Sequence, residues 1–235
     1  MKTLKAMVLI VTATVLFPLG ASAAARLGPY MTTGENVAAP SGFAEMCQRD
    51  AGHCLTRAQG AAPPVVLDGA HKATLERINR QVNDLITPAE DIQVYGVNEM
   101  WVNPLSAPAR NTHARARGDC EDYALAKRDL LIAEGWPAEA LFIAVGYHAE
   151  YGLHAVLIAH TDKGDLVLDS RTPWIEAWGD TPYVWVKRQL ASNSATWVRP
   201  FQSSWSQAQA SAASGSTSSL RVRRDGADDV FVPAP

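Results

Sequence analysis

Apolar residues recur at three- and four-residue intervals at Leu75, Ile78, Val82, Leu85 and Ile86. That period lines one stripe of a helix, which Asp68 is placed to cap and Pro88 to end. A second helix is predicted from Asp119, a good N-cap, through strong helix formers at residues 124–133, to Gly135 and Trp136-Pro137, which stop it. Its first turn holds Glu121 and Asp122, which suit the positive end of a helix dipole. After it the period changes. Residues 141–147, 154–161 and 166–169 are apolar runs that read as strands, with Asp162-Lys163-Gly164 as a hairpin turn and a further extended piece near residues 183–186. Residues 89–117 have no period, and Tyr95-Gly96, Trp101 and Asn103-Pro104 predict a long surface connection with turns, one short extended piece and a basic polar end.

The two ends of the chain differ from this body. Lys2 and Lys5 precede an apolar stretch over residues 6–20 that finishes in Ala21-Ser22-Ala23. This is the pattern of a signal peptide cleaved near Ala23, and the stretch is shorter than the roughly 20 apolar residues of a membrane anchor. Export to the periplasm follows as an expectation, with no membrane span once the leader is gone. Residues 202–235 are dominated first by Ser, Ala, Gln, Gly and Thr and then by charged, turn-forming residues without period, so a disordered tail is expected there. One folded domain is expected over residues 24–201.

Charge narrows the partners. The formal net charge is -3, and loss of the two leader lysines makes it -5, with 19 basic against 24 acidic residues. Basic residues are scattered apart from Arg221-Val222-Arg223-Arg224, so no footprint for nucleic acid is visible.

Three cysteines are present, Cys47, Cys54 and Cys120. In an oxidising compartment the close pair Cys47 and Cys54 reads as a local disulfide, which leaves Cys120 alone. Cys120 falls in the first turn of the second predicted helix, where unpaired backbone N–H groups stabilise a thiolate and can receive the oxyanion formed when an acyl carbon is attacked. A base is then needed. His53 lies between the paired cysteines, His71 and His113 lie in polar segments, and His160 lies near a turn. His154, at the start of a strand, is the first choice, and His148 the second. The orienting acid is Asp169, which ends the next strand at the same sheet edge. A turn at Lys163-Gly164 would set His154 opposite about residue 173, leaving Asp169 short along the strand, whereas Asp165 at the turn is too far away.

The run Gly118-Asp119-Cys120-Glu121-Asp122-Tyr123-Ala124, with His154-Ala155-Val156-Leu157 and Val167-Leu168-Asp169, resembles the bacterial transglutaminase-like cysteine proteinases, which include the LapG-type periplasmic proteases. The resemblance extends through Ile78-Asn79, Val82-Asn83, Tyr95-Gly96 and Trp101, over roughly residues 43–200. It implies an α+β fold with a papain-like, transglutaminase-like core in which the nucleophile's helix packs on an antiparallel sheet bearing the His and Asp. It also implies a calcium ion held by Asp119 and Glu121, with Asp122 nearby. Chemistry agrees, because carboxylates beside Cys120 oppose its thiolate unless a cation or hydrogen bonds offset them. Glu99 stands where the family has an aspartate, and the loop at residues 106–117 is rich in arginine.

The activity so implied is a cysteine endopeptidase with a Cys120, His154, Asp169 triad and a thioester intermediate. Its partners would be a protein substrate such as a surface adhesin and, in one branch, an inner-membrane receptor that responds to cyclic di-GMP. The alternatives are a transglutaminase or amidase acting on cell-envelope peptides, and a non-catalytic binding module of the same fold. Trp101 and Asn103 precede the cysteine, where a second oxyanion donor often stands.

Overall fold

The longest amphipathic pattern forms as its period predicts. In the computed structural model, which describes residues 28–54, 63–106, 115–191 and 193–201, helix α2 spans Gly69–Leu85. Asp68 caps it by accepting the His71 N–H at 2.8 Å, and Leu75, Ile78 and Val82 are buried. The expected leader, the expected tail and His113 lie outside the described residues. Ahead of α2 come the short strand β1 (Asn36–Val37) and helix α1 (Ser41–Arg49), whose Cys47 is disulfide-bonded to Cys54.

After α2 the chain forms β2 (Ile86–Pro88), a single helical turn α3 (Asp91–Val94) and β3 (Ala116–Gly118), which pairs parallel with β2. Over residues 89–117 most described residues are exposed or half-buried, as a surface connection requires, but a few anchors are buried. Trp101 is 2% exposed and meets Phe43 and Trp197 edge-on, Asp91 is 1% exposed, and the Ala89 N–H reaches the Gly118 carbonyl. The segment is fastened by single anchors rather than by a repeating face, so it has no period to read.

Helix α4 (Cys120–Ala133) follows and ends at Gly135, whose φ of +93° lets its N–H and that of Trp136 cap the Ile132 and Leu131 carbonyls. Asp119 occupies the N-cap position, but its side chain makes no capping bond, because the carboxylate turns toward Asp91 and Glu121.

The sheet comprises β4 (Leu141–His148), β5 (Gly152–Thr161), β6 (Gly164–Leu168), β7 (Ile175–Ala177), β8 (Val184–Leu190) and β9 (Asn193–Val198) together with β1. Its order is β1-β9-β8-β4-β5-β6-β7, and its neighbours pair antiparallel. Alternate residues of β4 and β5 feed two cores. Leu141, Ile143, Ala155, Leu157 and Ala159 pack with residues of α1, α2 and α4, while Phe142, Ala144, Val156 and Ile158 pack with Trp178, Tyr183 and Trp185. Both faces are covered, hence the unbroken apolar runs. The β5–β6 turn is Asp162-Lys163, one residue earlier than expected, so Thr161 pairs with Gly164 and the ladder ends at Leu157 and Leu168. Carried on, it would set His154 opposite Arg171 rather than residue 173.

Candidate active site

Cys120 is the first residue of α4 and the free cysteine among the described residues. Its sulfur lies 3.3 Å from Glu121 Oε2, and the Ala155 backbone N–H, one residue beyond His154, hydrogen-bonds it. The helix that carries Cys120 therefore meets the sheet at the start of β5. Burial, then the charges of Glu121 and Asp119, push the thiol well above its ordinary value, against the Ala155 N–H.

His154 and Asp169 are brought together despite the register. The chain leaves the ladder after Leu168, and Asp169 Oδ1 lies 2.7 Å from His154 Nε2 while also accepting the Arg171 N–H at 2.9 Å. The other carboxylate oxygen accepts the Tyr183 hydroxyl at 2.5 Å. Burial raises the Asp169 carboxyl, yet His154, Tyr183 and Arg171 together hold it below the ordinary aspartate value. Tyr183 also stacks on the imidazole, with centroids 5.7 Å apart, and Tyr151 meets it edge-on. Gly146, the pairing partner of His154, gives Tyr183 its room, because a Cβ there would come within 2.8 Å of the tyrosine Cβ. The second-choice His148 stacks on Tyr151 at 4.0 Å and accepts the Glu150 N–H, and His160 pairs with Asp165 at 2.6 Å.

At the other side of Cys120 the acids gather. Asp91, Asp119 and Glu121 each offer a ligand atom, all within 4.8 Å of one another. Asp122 accepts the Val102 N–H at 3.0 Å through Oδ1, and Asp91 accepts the Met100 N–H through Oδ2. Asp91 Oδ1, Asp119 Oδ1 and Asp122 Oδ2 are buried with no hydrogen-bond partner among the described residues. Burial and then the Asp119 charge push Asp91 up to about 6. Burial, with Asp119 and Asp91 adding repulsion against the Val102 N–H, pushes Asp122 up to about 8. Glu121 rises well above its ordinary value through burial and its contact with Asp119. Gly118 permits this crowding, since a Cβ there would lie 2.3 Å from Asp122 Oδ2.

The family model for the bacterial transglutaminase-like cysteine proteinases matches residues 33–204. The chain belongs to this family. It is a cysteine peptidase with a transglutaminase-like α+β core. The comparison with curated proteins gives no match. Among solved structures the chain is similar to calcium-bound Legionella pneumophila LapG, with 26% identity and a TM-score of 0.44, over 56% of this chain and 72% of that one. LapG of the same organism is also matched at 25% identity and TM-score 0.44, over 60% and 75%, and in an EGTA-treated form at 26% and 0.43, over 56% and 69%.

For this cysteine proteinase, sequence reasoning did not single out Asp91 or Tyr183. Asp91 sits in the aperiodic stretch, where no spacing marks it. Tyr183 falls in an extended piece of the sequence, where nothing marks the partner of its hydroxyl. The oxyanion candidates also resolve: Trp101 is a core residue whose Nε1–H goes to Glu99, and the Asn103 amide donates to Asp129 at 2.7 Å.

Proposed function

We propose that this protein is a periplasmic cysteine endopeptidase with Cys120 as nucleophile, His154 as acid and base, and Asp169 as orienter. The observation that carries the reading is the 2.7 Å His154 Nε2–Asp169 Oδ1 bond at the strand end where Ala155 touches Cys120. With Asp169 and Tyr183 on one side, the imidazole tautomer is fixed and Nδ1 is free to take the thiol proton. The sulfur attacks the peptide carbonyl carbon, and first-turn N–H groups of α4 receive the oxyanion. His154 passes its proton to the leaving amine. Water, deprotonated by His154, then cleaves the thioester and releases the acid and the thiol.

The acid cluster suits calcium, which takes oxygen ligands, about six to eight of them. Asp91, Asp119 and Glu121 would hold the ion, with Asp122 beside them; the orphaned, buried carboxylate oxygens support this fit. Bound there, the cation would offset the negative charge that opposes the Cys120 thiolate. The leader pattern and the Cys47–Cys54 disulfide support an oxidising compartment. A surface adhesin linker rich in small residues is the proposed substrate class, and an inner-membrane receptor the proposed regulator. Purified protein incubated with such a linker should cleave it, Cys120→Ala should not, and a calcium chelator should slow cleavage. Undiminished cleavage by Cys120→Ala would overturn the nucleophile, and indifference to the chelator would overturn the calcium site.

A further inference from the structure

The early departure of Asp169 from the β5–β6 ladder needs something to hold it. Among the described residues, three buried or half-buried side chains on two helices converge on residues 168–172. Asn83 of α2 donates to the Asp169 carbonyl at 3.0 Å and to the Thr172 carbonyl at 3.1 Å. Asn79, one helical turn earlier and 0% exposed, donates to the same Thr172 carbonyl at 3.0 Å. Lys127 of α4, also 0% exposed, reaches the Leu168 carbonyl at 3.5 Å.

These groups are costly where they stand. A fully buried lysine loses its hydration, and burial pulls Lys127 down to about 7 while the Asp169 charge opposes the fall. Asn79 Oδ1 and Asn83 Oδ1 are buried without partners among the described residues. Apolar side chains would pack the same space without these penalties, so packing alone gives no reason for them. Their shared feature is what they hold: the backbone on either side of Asp169, whose side chain must turn back to His154. Lys127 is also two helical turns from Cys120 on the same helix, so it ties the nucleophile's helix to the acid's loop.

We infer that Lys127, Asn79 and Asn83 are positioning residues that clamp the Leu168–Thr172 backbone and so aim Asp169 at His154. The inference rests on the reading of Cys120, His154 and Asp169 given above. They act through Asp169 and touch no substrate.

Alkylation of Cys120 by iodoacetamide tests this without a peptide substrate, since Cys47 and Cys54 are disulfide-bonded. With calcium chloride in excess, the rate is followed against pH for the wild type, His154→Ala, Asp169→Asn, Asn83→Ala, Lys127→Met and the double variant N83A/D169N. Asn83 is only half-buried, so its truncation should leave a folded protein, which near-UV circular dichroism checks. Asn83→Ala and Lys127→Met should each react about 10- to 100-fold more slowly at neutral pH, as expected for a group displaced by about an ångström. Their inflections should move away from that of the wild type and toward that of His154→Ala. The double variant should react no more slowly than Asp169→Asn alone, because both changes break one device. If His154→Ala is slow but Asn83→Ala and Lys127→Met keep the wild-type rate and inflection, the clamp is overturned and the triad stands. Losses that add in the double variant overturn it as well. A His154→Ala protein that reacts like the wild type overturns the triad and the clamp together.

Discussion

Asp122 and Asp169 are both buried carboxylates within the same small site, yet their acidities are displaced in opposite directions. Asp169 faces donors: an imidazole, a phenol and a backbone N–H take up its oxygens. Asp122 has the Val102 N–H on Oδ1, no hydrogen-bond partner for Oδ2 among the described residues, and the Asp119 and Asp91 charges nearby. Burial raises both, so the neighbours decide the sign. One end of the site is built to be complete as it stands. The other is left short of positive charge, which is the condition a cation would relieve.

The largest effect should come from neutralising the completed side. Asp169→Asn keeps the shape but reverses the hydrogen-bond demand on His154, and should lower kcat on the order of 10³- to 10⁴-fold in a peptidase assay. A kcat within a few-fold of wild type would remove Asp169 from the site's chemistry.

Lys127 sets a pH dependence of the same sign as that of Asp169 but in a higher pH window. Its folded value of about 7 lies below the 10.5 of an ordinary lysine, so between these values the unfolded chain holds the extra proton and stability rises with pH. Denaturant titrations should find Lys127→Met gaining on the wild type by a few kcal/mol toward neutral pH, with the gap closing above about pH 10. A constant difference across that window would mean the lysine stays charged in the fold. Asp169 acts in the same direction at acid pH: its contribution is present above pH 3.8 and is lost as pH falls through its lower folded value.

Neutralising the incomplete side should help the protein rather than harm it, if no cation is supplied. In chelator at neutral pH, Asp91→Asn should be more stable than the wild type by about 1–3 kcal/mol, because it removes a buried charge facing Asp119. In excess calcium the order should reverse. Thermal melts under the two conditions check this, and the same order in both would refute a cation site at Asp91.

The smallest change sharpens the comparison most finely. Tyr183→Phe takes one of three donors from Asp169 and should lower kcat about 10-fold, equivalent to about 1.4 kcal/mol, with KM unmoved. An unchanged kcat would show that the phenol only fills space beside Gly146.

Local chemistry carried much of this into the sequence. The helix over residues 69–85 followed from period and from the Asp68 cap, and the helix after Asp119 from its formers and Gly135. Cys120, His154 and Asp169 stood out as candidates because a cysteine at a helix start, a histidine at a strand start and an acid at a strand end are each local patterns. The disulfide followed from cysteine arithmetic, and the structure contains it. Tertiary contacts decided the rest. Asp91 joins the acids only because β2 and β3 pair and bring α3 to the mouth of α4, and Asp119 abandons its capping bond for the same reason. Asp169 meets His154 only because the chain leaves the ladder after Leu168 under hydrogen bonds from Asn79, Asn83 and Lys127. Periodicity and capping act between neighbours in the chain, so one sequence can display them. The clamp and the acid cluster join residues far apart in sequence, and only the packed fold fixes which of many compatible partners meet.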